Sequence, residues 1–186
     1  MGPSSIEIEL GNCLGVGGFC TVVDLDEVHL NPSKSEREKP VQEDRLFISS
    51  HCTCDGKPRY AVKKLTRGLY REGNEQHFVS GVMDLMVEVQ YLSVLATLGY
   101  PNIIKMRAVS SCPNYSKGFF IIMDRLNETL TDRVKTWAAE SKKQKRLPRL
   151  MNWTSKKGRT RQDLLHEKLN VCQDLFSVMS FLHKHK

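Results

Sequence analysis

Missing from this sequence, first, is any long apolar run. No stretch approaches the ~18 apolar residues that span a bilayer, and Met1 to Leu10 has neither the basic start nor the apolar core of a secretory signal. A cytosolic or nuclear protein that does not enter the membrane is therefore expected. The sequence G-K-[ST] does not follow the one glycine-rich stretch, which excludes a P-loop. Cysteines number six, and with no export signal they are expected to be reduced thiols. A second pair of zinc ligands at suitable spacing is lacking too. His51-Cys52-Thr53-Cys54 is half of such a site, and the only partners on offer, His183 and His185, lie near the far end. The cluster reads as a solvated loop, and no metal site is expected.

What is present is an ordinary globular balance, 40% hydrophobic and 26% charged, with ample material for a core. The formal net charge of +7 would draw a protein toward nucleic acid or anionic lipid. It is concentrated, however, in residues 141–161, where Lys142, Lys143, Lys145, Arg146, Arg149, Lys156, Lys157, Arg159 and Arg161 occur with no acidic residue. The remainder is close to neutral. This insert reads as a solvated loop around Pro148 that serves substrate docking or localisation. Trp153 is its one stacking aromatic, so nucleic acid is not expected as a partner.

Along the chain, Ile6–Leu10 and Val22–Leu25 read as strands joined by a glycine turn, followed by a polar excursion over 26–57. Within it, the weak apolar patch Leu46–Ile48 offers at most a little strand. Arg59–Leu65, Ile103–Val109 and Gly118–Met123 read as further strands. Gly81–Leu98 carries Val82, Leu85, Met86, Val89, Leu92 and Leu95 at helical spacing, and Gly99-Tyr100-Pro101-Asn102 ends it. Asn127–Ala139 and Asp163–His183 read as helices. Five strands crossed by one helix make an α+β lobe.

Three features carry chemistry. Leu14-Gly15-Val16-Gly17-Gly18-Phe19-Cys20-Thr21-Val22 lets a strand turn close over a ligand, since glycine brings backbone N–H groups up to phosphate oxygens. Cys20 stands where G-x-G-x-x-G has its third glycine. On the strand Ala61-Val62-Lys63, alternation puts Lys63 on the Ala61 side, facing the same cleft as the turn, and Lys64 on the other. Glu88 lies on the amphipathic helix that runs on to Pro101-Asn102-Ile103-Ile104.

In order and spacing, Leu14–Val22, Tyr60–Leu65, Glu88–Lys105, Phe119–Leu126 and Phe181-Leu182-His183 resemble the eukaryotic protein kinases, nearer the Ser/Thr type. The resemblance implies a protein-kinase-like N-lobe over 1–123, a five-stranded antiparallel sheet with one helix and the insertion 26–57. A hinge over 124–126 and a partial C-lobe over 127–186 would follow. It further implies that Gly15 and Gly17 cover the phosphates of ATP, that Val22 and Ala61 sandwich adenine, and that Lys63 holds the α- and β-phosphates and pairs with Glu88. Met123 would be the gatekeeper. Asp124, Arg125 and Leu126 would be the hinge that reads the adenine edge with backbone groups, and Glu128 would lie near the ribose. ATP and Mg²⁺ are the implied cofactors and a protein hydroxyl the implied substrate.

The chain given stops at Lys186, just before the place where such kinases carry His-Arg-Asp and Asp-Phe-Gly. The residues that would serve as base and hold Mg²⁺ fall beyond it. The 186 residues are therefore expected to be a piece of a working kinase, inactive alone, with the stripe of the last helix exposed or folded back on the lobe. A truncated pseudokinase that binds nucleotide or a partner is the alternative.

Overall fold

The computed structural model describes residues 8–29, 47–71, 73–110, 112, 116, 118–146 and 160–185. The start of the first expected strand (Ile6), the polar stretch 30–46, most of the turn 110–117 and the insert around Trp153 lie outside them. Two compact units divide the chain, Met1–Arg125 and Leu126–Lys186.

The first unit is α+β. Its strands are β1 (Ile8–Val16), β2 (Cys20–Val28), the short β3 (Thr53–Cys54) and β4 (Lys57–Pro58), β5 (Tyr60–Leu65), β6 (Met106–Val109) and β7 (Phe120–Asp124), with helix α1 (Glu75–Leu98) after β5. Five of them form one sheet in the order β1-β2-β5-β7-β6, every pairing antiparallel. The pair β3–β4 forms a separate hairpin.

Alternation along the strands gives each face of the sheet its own core. Ala61 and Leu65 of β5 and Ile121 and Met123 of β7 bury against Val82, Leu85 and Leu92 of α1. Tyr60 and Val62, with Phe120, Ile122, Val23 and Leu25, fill the opposite face, where Ile48 and Cys52 join them. That face corrects two expectations. Residues 47–50 are helical rather than strand, which puts Ile48 and Cys52 one turn apart, with the Cys52 thiol donating to the Ile48 carbonyl at 3.0 Å. The cluster His51–Cys54 is thus not simply a solvated loop: Cys52 is part of the core.

α1 begins six residues earlier than periodicity suggests, because Phe78, preceded by a polar run, also packs on the core. It ends where expected, with Gly99 at φ 64° in the left-handed conformation that suits glycine at a helix end. Ile103–Lys105 form no strand; the Ile103 N–H closes a turn on the Tyr100 carbonyl. α1 has no unbroken apolar run, but by length and composition alone, with mean hydropathy of 1.4 over an 18-residue window, it is long and apolar enough to cross a membrane. Its outer stripe, Val79, Met83, Val87, Tyr91, Val94 and Leu98, is exposed.

Gly81 sets how near α1 comes to the sheet. A Cβ there would lie 3.0 Å from the Cβ of Phe19, 3.1 Å from Leu65 Cδ2 and 3.3 Å from Leu69 Cδ1. Gly81→Val is expected to destabilise the unit by about 1–3 kcal/mol through overpacking, read as a lower urea midpoint with unchanged slope. An unchanged midpoint would refute this close approach.

The second unit pairs α2 (Leu130–Arg146) with α3 (Arg161–Lys184). α2 runs past Ala139 into the basic stretch, because lysine and arginine are good helix formers. α3 starts on a capping box: the Asp163 N–H donates to the Thr160 hydroxyl at 3.1 Å, and the Thr160 N–H donates to the Asp163 carboxylate at 2.7 Å. Trp137 and Leu164 are buried, and Arg133 of α2 pairs with Glu167 of α3 at 2.9 Å. Leu165, Leu169, Leu175, Phe176 and Leu182 of α3 are exposed.

Candidate functional site

The face of the sheet toward α1 carries one cation in an apolar row. Lys63 stands in register between Val22 of β2 and Ile121 of β7. A charge there is costly to hold unless it is paired, and the partner is Glu88 of α1, whose carboxylate accepts from the Lys63 ammonium. Glu88 follows the fully buried Leu85 by three residues and precedes the buried Leu92 by four, so it lies on the stripe that faces the sheet. The helix thus presents one carboxylate within its buried apolar stripe, and a second, exposed apolar stripe outward.

Gly15, Gly17, Val22, Lys63 and Glu88 line one cleft of about 510 Å³, together with Phe19, Cys20, Asp84 and Leu85. The turn above it is closed by the Gly17 N–H, which donates to the Cys20 carbonyl at 2.7 Å. That leaves the N–H groups of Gly18 and Phe19 at the tip with no acceptor among the described residues. A Cβ at Gly15 or Gly18 would meet no atom within 4 Å. Packing within the chain therefore does not call for glycine at these positions. The donor set, one ammonium and free amides at a glycine turn, suits phosphate oxygens. Two carboxylates, Glu88 and Asp84, share the cleft with the one ammonium, which suits a polyphosphate that brings its own divalent cation.

Ala61 and Met123 are buried one register row along from Lys63, opposite Asp24 of β2. Asp124 ends β7, with its carboxylate held by Arg107 at 2.7 and 2.9 Å. Leu126 and Glu128 belong to the second unit, where Glu128 pairs with Arg133 at 3.1 Å. Residue types and periodicity pointed to neither Asp84 nor Asp24. Asp84 could have been found one turn before Glu88 on the helix. Asp24 meets Arg125 across 101 residues of chain, a pairing that no local pattern carries.

Burial pushes the Cys20 thiol up from its ordinary range; Lys63 opposes the shift, while Glu88 and Asp84 add to it. Elsewhere, Glu9, Glu27 and His29 bring three potential ligand atoms within 4.8 Å of one another, all on exposed side chains. The His29 imidazole is held above its usual range, chiefly by its hydrogen bond to Glu9 at 2.9 Å.

No known protein family, curated protein or solved structure gives a match to this chain.

Proposed function

We propose that the first unit grips ATP as its Mg²⁺ complex, as the nucleotide-binding part of a protein serine/threonine kinase. The observation that carries this reading is the Lys63–Glu88 ion pair, set beneath a glycine turn in a cleft. A free lysine could screen a phosphate, but a lysine aimed by a helix carboxylate holds its charge at one point, where the α- and β-phosphate oxygens would accept from it. The amides of Gly18 and Phe19 would take further phosphate oxygens from above. Val22 and Ala61 would cover the adenine ring, Met123 would close the back of the pocket, and the backbone of Asp124 and Arg125 would meet the base edge. Mg²⁺ would offset the charge of the phosphates beside Asp84. The five-stranded antiparallel sheet with a single helix on the cleft face supports the reading as the framework of a kinase N-lobe. Transfer to a protein hydroxyl belongs to the whole kinase.

Cys20 reports on the cleft directly. The thiolate is the reactive species and burial disfavours it, so carbamidomethylation by iodoacetamide should be slow at neutral pH and climb through the alkaline range. Saturating MgATP should slow it severalfold further, while the exposed Cys13, Cys54 and Cys172 keep their rates in the same peptide digest. Equal labelling of Cys20 with and without MgATP would count against the proposal.

A further inference from the structure

We infer that Asp24 and Arg125 form a positioning pair that fixes the segment leaving β7 against β2 and so sets which nucleobase the cleft accepts, an inference that rests on the nucleotide reading above. Among the described residues, Asp24 is the one charged residue that is buried, 2% exposed. It lies on the cleft face, in the register row Asp24–Ala61–Met123 across β2, β5 and β7. A buried carboxylate is costly unless paired, and removing its partner is costlier than never having had the pair. Its partner is Arg125, whose Nε donates to Asp24 Oδ1 at 2.5 Å. The Arg125 main chain is held as well, its N–H donating to the Arg59 carbonyl at 3.0 Å.

Two successive residues after Met123 are thereby tied to opposite sides. Asp124 is tied toward β6 through Arg107 and through its N–H to the Lys105 carbonyl at 3.1 Å. Arg125 is tied toward β2 through Asp24. To reach β2 from the end of β7, the Arg125 side chain must cross the line of β5, which its backbone meets at Arg59, just before the strand and two residues before Ala61, the small residue of the Asp24 row. On the nucleotide reading the guanidinium would then lie beside the base, with its Nε donor given to Asp24. Freed from this anchor, the guanidinium could turn its donors to the base. Arginine donors match the O6 and N7 acceptors of guanine, whereas the adenine edge offers an amino donor beside N7. The Asp24 carboxylate therefore acts by keeping Arg125 out of base recognition.

The test is calorimetric titration of MgATP and MgGTP into the full chain, for wild type, Asp24→Asn and the double variant Asp24→Leu/Arg125→Met. Wild type should prefer ATP. Asp24→Asn should narrow the ATP:GTP affinity ratio by about tenfold, the factor of one hydrogen bond to a charged group. The double variant replaces the pair by apolar groups of similar volume and is expected to fold even where the single one does not. It should lose ATP affinity without gaining GTP affinity, because no guanidinium remains. If wild type binds ATP and the folded variants keep both its affinity and its base preference, the pair is only structural and the inference falls alone. If wild type binds neither nucleotide, the nucleotide reading falls with it.

Discussion

Lys63→Met loses affinity for MgATP by about 10–150-fold while the chain stays folded. The estimate is the ~1.5–3 kcal/mol of hydrogen bonds from a charged donor, at about 1.4 kcal/mol for each tenfold. Methionine keeps the length and the apolar stem of lysine, so only the ammonium is withdrawn. The stability cost is on the order of 1 kcal/mol or less, because the Lys63 and Glu88 side chains remain 24% and 32% exposed and water screens what is left. Glu88→Gln separates aim from charge: it leaves the ammonium in place but removes the carboxylate that orients it, and its loss of affinity should be smaller than that of Lys63→Met. Isothermal titration with circular dichroism on the same samples reads both quantities. Wild-type affinity in both variants would mean that the pair is a structural tie and the cleft takes something else.

Leu85→Ala is expected to cost about 2–5 kcal/mol, the range for removing a large apolar side chain from a closed core. Leu85 is 0% exposed and sits between the sheet and the cleft, packed with Ala61, Leu65, Ile121 and Met123. Small domains are stable by about 5–15 kcal/mol in all, so the variant should show a large drop in urea midpoint. Glu88 follows by one turn, so the loss should also loosen the ion pair and weaken MgATP binding beyond what Glu88→Gln does. A loss under about 1 kcal/mol would mean that α1 does not dock through Leu85.

Strand alternation at Ala61-Val62-Lys63 and the helical spacing of Val82, Leu85, Val89 and Leu92 are local patterns, and they made α1, β5 and the cleft pair legible in the sequence. The rest depended on contacts that such patterns do not encode. Phe78 extends α1 because it finds the core, whereas its apolar neighbour Val79 is exposed. Ile48 and Cys52 are too few to show a period, yet the far face of the sheet needs cover. The basic run after Ala139 resembled a loop by charge, although its residues favour helix. The tie between Asp24 and Arg125 requires β2, β5 and β7 to be assembled first.

Strand β5, like β7 beside it, feeds both cores, and it does so by parity. Tyr60 and Val62 belong to one side, Ala61, Lys63 and Leu65 to the other. Each substitution in this strand is therefore felt mainly on one side of a backbone wall. Changes under the 47–58 cover can accumulate without disturbing the cleft, and the cleft can be retuned at odd positions without unsealing the far side. The fold has in this way two nearly independent surfaces on which to vary, written in alternate letters of one six-residue word.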